Sequence, residues 1–125
     1  MKRVFISFAI EDSRLRDLLV GQAKNNNSPF EFVDMSVKKA WSSEWKTKCR
    51  TKIKGCGGVL AIVTSNSMDA DGERWELKCA SEEGISRLGI WGNDEHAGVQ
   101  VPPELPKYKM RDWTWVNIKT WLDTL

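Results

Sequence analysis

One histidine, one tyrosine and three cysteines stand among 125 residues, and each shortage removes a class of chemistry. His96 lies in a polar loop and reads as a solvated side chain, which leaves no Ser/His/Asp or Cys/His relay. No two Cys or His residues have the spacing of zinc ligands, so no metal is expected. Cys49, Cys56 and Cys79 form an odd set without a Cys-x-x-Cys pair, the pattern of free thiols in a reducing cytosol. No stretch approaches the ~20 apolar residues of a membrane span. The apolar run that begins at Val4 is too short for a secretory signal, and the expected compartment is the cytoplasm. A net charge of +2 is too small to announce a nucleic-acid or membrane partner. A phosphate loop is missing as well. Gly55-Cys56-Gly57-Gly58 precedes a strand, lacks a Gly-Lys-Ser/Thr ending, and reads as a turn. Receiver-type phosphorylation would need an Asp at the end of the third strand, where Val63-Thr64 stands.

What is abundant is tryptophan, seven against the single tyrosine. Such rings either close a core or flank a pocket for a flat ligand. The length suits one domain over residues 1–125, with no repeat or linker. Five apolar runs alternate with helix-like segments. Val4-Phe5-Ile6-Ser7-Phe8 is the first strand, followed by a helix over residues 11–24 with Asp12 or Ser13 as N-cap and Leu15, Leu18, Leu19 and Ala23 as buried face. Phe30-Glu31-Phe32-Val33 is a short strand near an edge. The next helix spans residues 44–54, is capped by Ser42 or Ser43, buries Trp45, Cys49 and Ile53, and stops at Gly55. Gly58-Val59-Leu60-Ala61-Ile62-Val63 has the continuous apolar character of a central parallel strand. A third helix over residues 73–83 ends at Gly84, and a fourth strand covers residues 85–91. Residues 92–109 are loop-like, Trp113-Thr114-Trp115-Val116 is a fifth strand, and residues 117–125 form a closing helix. This alternation predicts a flavodoxin-like α/β fold: three layers and a five-stranded parallel sheet in the order 2-1-3-4-5.

In such a sheet ligands bind beyond the carboxyl ends of the strands, near the switch between the first and third. That selects Phe8-Ala9-Ile10, Asp34-Met35-Ser36, Thr64-Ser65-Asn66-Ser67 and the start of the third helix, with Trp75-Glu76. On a helical wheel Leu77, Ala80 and Gly84 cluster towards the sheet, and Glu76 falls about 70–80° from their centre. It is expected half-buried at the crevice edge. Position alone admits two readings: a catalytic carboxylate, or an acid favoured in a first helical turn by the dipole. Residues 38–54 carry seven basic side chains and one acidic one, a pattern that fits a solvated helix face better than a phosphate site. Trp45 belongs to a core stripe, whereas Trp41 precedes its helix and is a pocket candidate.

These motifs resemble those of TIR and TIR-like domains. Arg3-Val4-Phe5-Ile6-Ser7-Phe8-Ala9-Ile10-Glu11-Asp12 is similar to the family's first strand and acidic loop. Phe32-Val33-Asp34-Met35-Ser36 resembles its second strand with Asp-x-Ser, and Thr64-Ser65-Asn66-Ser67 with Trp75-Glu76-Leu77 resembles the segment holding its catalytic glutamate. Residues 84–91 resemble the strand that follows. The nearest likeness is to small bacterial TIR-like proteins of Thoeris-type antiphage defence. Adjacent Trp75 and Glu76 depart from the wider spacing of many TIR domains, and Glu73, about 160° away on the wheel, is the alternative position.

The resemblance implies cleavage of NAD⁺ as substrate, with no further cofactor. Nicotinamide is released, and an ADP-ribose-derived signal (a cyclic isomer or a conjugate) reaches a separate effector. It implies Glu76 as the catalytic residue. Phe8, Ala9, Ile10, Asp34, Ser36, Trp41, Thr64, Ser65 and Trp75 would line the substrate site. Homo-oligomers or TIR–TIR self-assembly are expected, without nucleic-acid or membrane partners. The rival implications are a non-catalytic scaffold that self-associates and a small-molecule binder without turnover.

Overall fold

The computed structural model describes residues 2–93 and 95–125; Met1 and Asp94 lie outside the described residues. The chain runs β1 (Arg3–Ser7), α1 (Ser13–Asn25), β2 (Glu31–Val33), α2 (Ser43–Lys54), β3 (Gly58–Val63), α3 (Asp71–Glu82), β4 (Ser86–Trp91), β5 (Met110–Arg111) and α4 (Trp115–Leu122). All pairings are parallel, and the sheet has the order β2-β1-β3-β4-β5. This is the α/β architecture and strand order expected from the alternation of elements. No helix among the described residues is long and apolar enough to cross a membrane.

Side chains of a strand alternate between faces, and that alternation splits the core. Val4, Ile6, Leu60, Ile62, Leu88 and Ile90 pack with Leu19 of α1 and with Ile118 and Leu122 of α4. Phe5, Val59, Ala61 and Val63 pack on the other face with Trp45, Cys49 and Ile53 of α2 and with Leu77 and Ala80 of α3. β3 is buried along its whole length, as its unbroken apolar sequence requires. Ser7 shares the α2–α3 face with Phe5, so its hydroxyl points under α3.

Several local expectations are corrected. The fifth strand is Met110–Arg111, not 113–116. Thr114 instead caps α4, its hydroxyl accepting from the Asn117 N–H, and Trp115 becomes the first helical residue. Capping thus overrides the strand preference of the tryptophans. Gly89 on β4 lets β5 approach: a β-carbon there would lie 2.3 Å from the Met110 sulfur. The β4–β5 connection holds only a 3₁₀ turn (Lys107–Lys109), as its loop-like sequence suggests, and the described residues form four α-helices. On α1, Leu19 and Ala23 are buried but Leu18 is 56% exposed, because the stripe facing the sheet follows i, i+4, i+8 from Leu15. His96 is not freely solvated; it stacks flat on Trp91, with centroids 4.3 Å apart.

Candidate active site

Two acids of α3 and two loops converge at the carboxyl end of β1. α3 begins at Asp71, two residues before the expected start. Asp71 and Glu73 therefore occupy its first turn and Glu76 its second. Stabilisation of acids by the helix dipole fades beyond the first turn, so it does not account for Glu76.

Glu76 is completely buried rather than half-buried. The wheel located its direction, but the segment between β2 and α2 folds over it. Lys38 from that segment donates to both carboxylate oxygens, at 3.0 Å to Oε1 and 2.7 Å to Oε2. The Ser7 hydroxyl donates to Oε1 at 2.8 Å. Burial pushes the Glu76 pKa up to about 7, against the opposing pull of the Lys38 ammonium and the Ser7 hydroxyl. The carboxyl thus titrates near neutrality, the range that suits a general acid or base.

Glu73, one turn back, is also fully buried, and neither of its carboxylate oxygens has a hydrogen-bond partner among the described residues. Burial raises its pKa well above the usual range; the nearby Ser67 hydroxyl offsets part of this, and the Glu76 charge adds to it. Glu73 and Glu76 are two carboxyls with different environments: one without partners, one paired. Only Glu76 is built to carry a negative charge.

The crevice floor is fixed by a second network. Asp12 sits at the N-cap position of α1 but does not cap it. Its carboxylate accepts from the Thr64 hydroxyl at 2.5 Å and from the Asn66 amide at 2.9 Å. The Thr64 N–H in turn donates to the Ser67 hydroxyl. The loops after β1 and β3 are thereby tied together behind the two glutamates.

A small cavity of about 180 Å³ opens here, lined by Ala9, Ile10, Lys38, Trp41, Gly72 and Glu73 among others. Pockets for drug-sized ligands hold about 300–1,000 Å³, so this one takes no more than a ring until it widens. Trp41 stands at its mouth, 80% exposed.

The remaining expected site residues are distributed as follows. Ala9, Ile10 and Trp41 line the crevice. Ser65 is exposed, and the Thr64 hydroxyl is spent on Asp12. Asp34 accepts from Arg16 at 2.8 Å, and with Ser36 it faces a separate cavity of about 460 Å³ beside α2. Phe8 offers no free face: it is fully buried, with the Lys38 ammonium 4.0 Å and the Arg16 guanidinium 5.5 Å from its ring centroid. Trp75 turns away from the crevice. It packs edge-on against Trp45, with the Arg50 guanidinium 5.5 Å from its ring centroid.

Lys38, Ser7 and Asp12 were not singled out from sequence as site residues; Asp12 was read only as an N-cap candidate and part of the acidic loop. Ser7 had a signal, a lone hydroxyl in an otherwise apolar strand on the face that α3 covers. Lys38 merged into the basic run of residues 38–54, which is otherwise largely on the surface of α2. The thiols are no substitute nucleophiles, since burial raises all three, Cys56 to about 11.

No family model and no curated protein matches this chain. Among solved structures it is similar to the TIR domains of the activated Roq1 resistosome, a complex that directly recognises the pathogen effector XopQ. The TM-score is 0.56 at 18% identity, over 79% of this chain and 62% of that one. This chain therefore spans less than two thirds of the matched chain. The likeness establishes a TIR-like fold.

Proposed function

We propose that this chain is an NAD⁺-cleaving enzyme in which Glu76 acts on the nicotinamide–ribose bond. The observation that carries this reading is the Glu76 carboxylate itself: wholly buried at the carboxyl end of β1, held by Ser7 and paired with a lysine ammonium. Burying an ion pair is costly, and an apolar pair of similar volume often serves stability as well, which favours a role beyond the fold. The sequence motifs similar to TIR-like domains put a catalytic glutamate at this same residue.

The chemistry needs few groups. The electron pair of the glycosidic bond passes to the pyridinium nitrogen, and nicotinamide leaves neutral, so no strong acid is required. The ribose carbon develops oxocarbenium character, as in glycoside hydrolysis. A fixed carboxylate beside it stabilises that charge. Water then adds and sheds a proton to give ADP-ribose. If water is excluded, an internal nucleophile closes a cyclic isomer or another acceptor forms a conjugate. In this reading the product is a diffusible signal to a separate effector in a cytoplasmic antiviral response of the Thoeris type.

A second reading, self-association without turnover, is favoured by one observation. Ile10, Val37 and Trp41 are large, apolar, and 48%, 58% and 80% exposed, on the loops bordering the crevice. The two readings combine if assembly completes the site. Incubating the purified protein with NAD⁺ and measuring free nicotinamide, alone and under conditions that promote assembly, separates them.

A further inference from the structure

We propose that the Lys38 ammonium holds the place of the substrate's own positive charge on Glu76, so that binding is an exchange of cations and the site selects glycosides that are cationic at the reacting end. This rests on the reading of Glu76 as the reacting carboxylate.

Glu76 has no exposed surface, and the Lys38 side chain is only 7% exposed. A carboxylate in that state touches no ligand until one of the groups covering it withdraws. Ser7 stays in place: it pairs with Ala61 of the central strand β3, and its side chain is fully buried under α3. Lys38 can withdraw. It belongs to the stretch of residues 34–42, which contains neither helix nor strand, and its side chain already lines the cavity below Trp41. Its ammonium ends a flexible four-carbon stem, so a few bond rotations carry it into the mouth.

Withdrawal alone would leave a buried carboxylate without a counter-ion, which is strongly unfavourable. The exchange is balanced only when another cation arrives. Two surfaces vacated by Lys38 accept one: the Glu76 carboxylate, and the face of Phe8 over which the ammonium sits at 4.0 Å. Phe8 is closed to ligands while Lys38 is in place and becomes a cation platform once it leaves. A pyridinium glycoside meets both surfaces. The neutral dihydropyridine or nicotinamide of the same shape meets them without the charge.

The other titratable groups about Glu76 are Asp34 from the same segment as Lys38, Cys49 from α2, and Glu73 and Cys79 from α3. From β1 only the Ser7 hydroxyl reaches it. None of these carries a positive charge. The Arg16 guanidinium of α1 lies 5.5 Å from the Phe8 centroid, but it is paired with Asp34 and makes no bond to Glu76, so removing Lys38 leaves the free enzyme's Glu76 easier to protonate.

The experiment compares wild type with Lys38→Met, Lys38→Gln and Lys38→Arg; either neutral variant that folds suffices. Nicotinamide release from NAD⁺ is followed across pH, and tryptophan quenching reports binding of 1-methylnicotinamide against nicotinamide at pH 9. The limb of kcat/KM reports the free enzyme and that of kcat the complex. Without the lysine, the acid limb of kcat/KM moves up by about one pH unit or more while that of kcat stays. Lys38→Arg keeps both limbs. The neutral variant also favours the 1-methylnicotinamide cation over nicotinamide about tenfold more than wild type does. Both limbs moving together, neither moving, or an unchanged charge preference overturns the proposal. Wild type that releases no nicotinamide contradicts the NAD⁺ reading instead, and the binding comparison then decides the Lys38 inference by itself.

Discussion

A β-carbon at Gly72 would lie 2.8 Å from the Cβ of Lys38 and 3.2 Å from its Cγ and Cδ. The absent side chain at position 72 lets the segment after β2 lie against α3, and so lets the ammonium reach Glu76. Gly72→Ala should therefore cost about 1–3 kcal/mol of overpacking in the Lys38 background. In Lys38→Gly the same change should be neutral or gain up to ~1 kcal/mol from helix propensity. Denaturant melts of the four proteins give the coupling. Equal costs in the two backgrounds would mean that Lys38 does not rest on Gly72.

Glu73 makes stability depend on pH. Its folded pKa lies well above the 4.5 of the free side chain. A carboxyl raised in this way contributes its full stability below the unfolded value and loses it as pH climbs through the folded value. Glu76, raised to about 7, acts in the same direction. Glu73→Gln mimics the neutral acid and escapes its share of the loss. Its Tm relative to wild type should rise steadily from pH 5 to pH 8. A constant difference across that range would contradict the assignment of Glu73 as a partnerless buried acid.

The legible parts of this fold were those decided by period and composition. β3 is wholly apolar because both its faces are covered, and the Trp45, Cys49 and Ile53 stripe is buried as its spacing demands. What the sequence hid was decided by contacts between distant segments. Trp113 and Trp115 have strand character, yet one hydroxyl, that of Thr114, starts a helix there. Glu76 could be located by helical geometry, but its partner is 38 residues away on an irregular segment that no periodicity describes. Phe8 and Trp75 were reasonable ring platforms by position. The one proved to be covered by Lys38, and the other to pack on Trp45.

Trp41 separates a binding role from a folding role. With 80% of its surface exposed, it contributes little to the core. Trp41→Ala should shift stability by no more than about 0.5 kcal/mol. Loss of ring stacking, worth about 1–3 kcal/mol per base, should raise KM for NAD⁺ roughly tenfold while kcat changes less. A variant that unfolds, or one with unchanged KM, removes Trp41 from the substrate site.

The narrow crevice and its exposed apolar border lead to a prediction about concentration. If Ile10, Val37 and Trp41 are covered by a second copy when the cavity widens, total activity should rise with protein concentration faster than in proportion. Replacing Val37 with Asp should flatten that rise without altering the melting curve of the dilute protein. Activity strictly proportional to enzyme over a wide dilution series, from a protein that stays monomeric in sedimentation, rules assembly out.

The most direct measurement is nicotinamide release by Glu76→Gln, with Glu73→Gln and wild type as controls and with melting recorded on the same preparations. The amide keeps the size of the side chain and an oxygen for Ser7, and removes the charge that pairs with Lys38 and would face the oxocarbenium ion. Loss of a positioned electrostatic group of this kind costs on the order of 10²–10³ in rate. The account predicts that loss in kcat for folded Glu76→Gln, with NAD⁺ cleavage by Glu73→Gln largely retained. Near-normal release by folded Glu76→Gln would contradict it, and loss confined to Glu73→Gln would move the catalytic role to that residue.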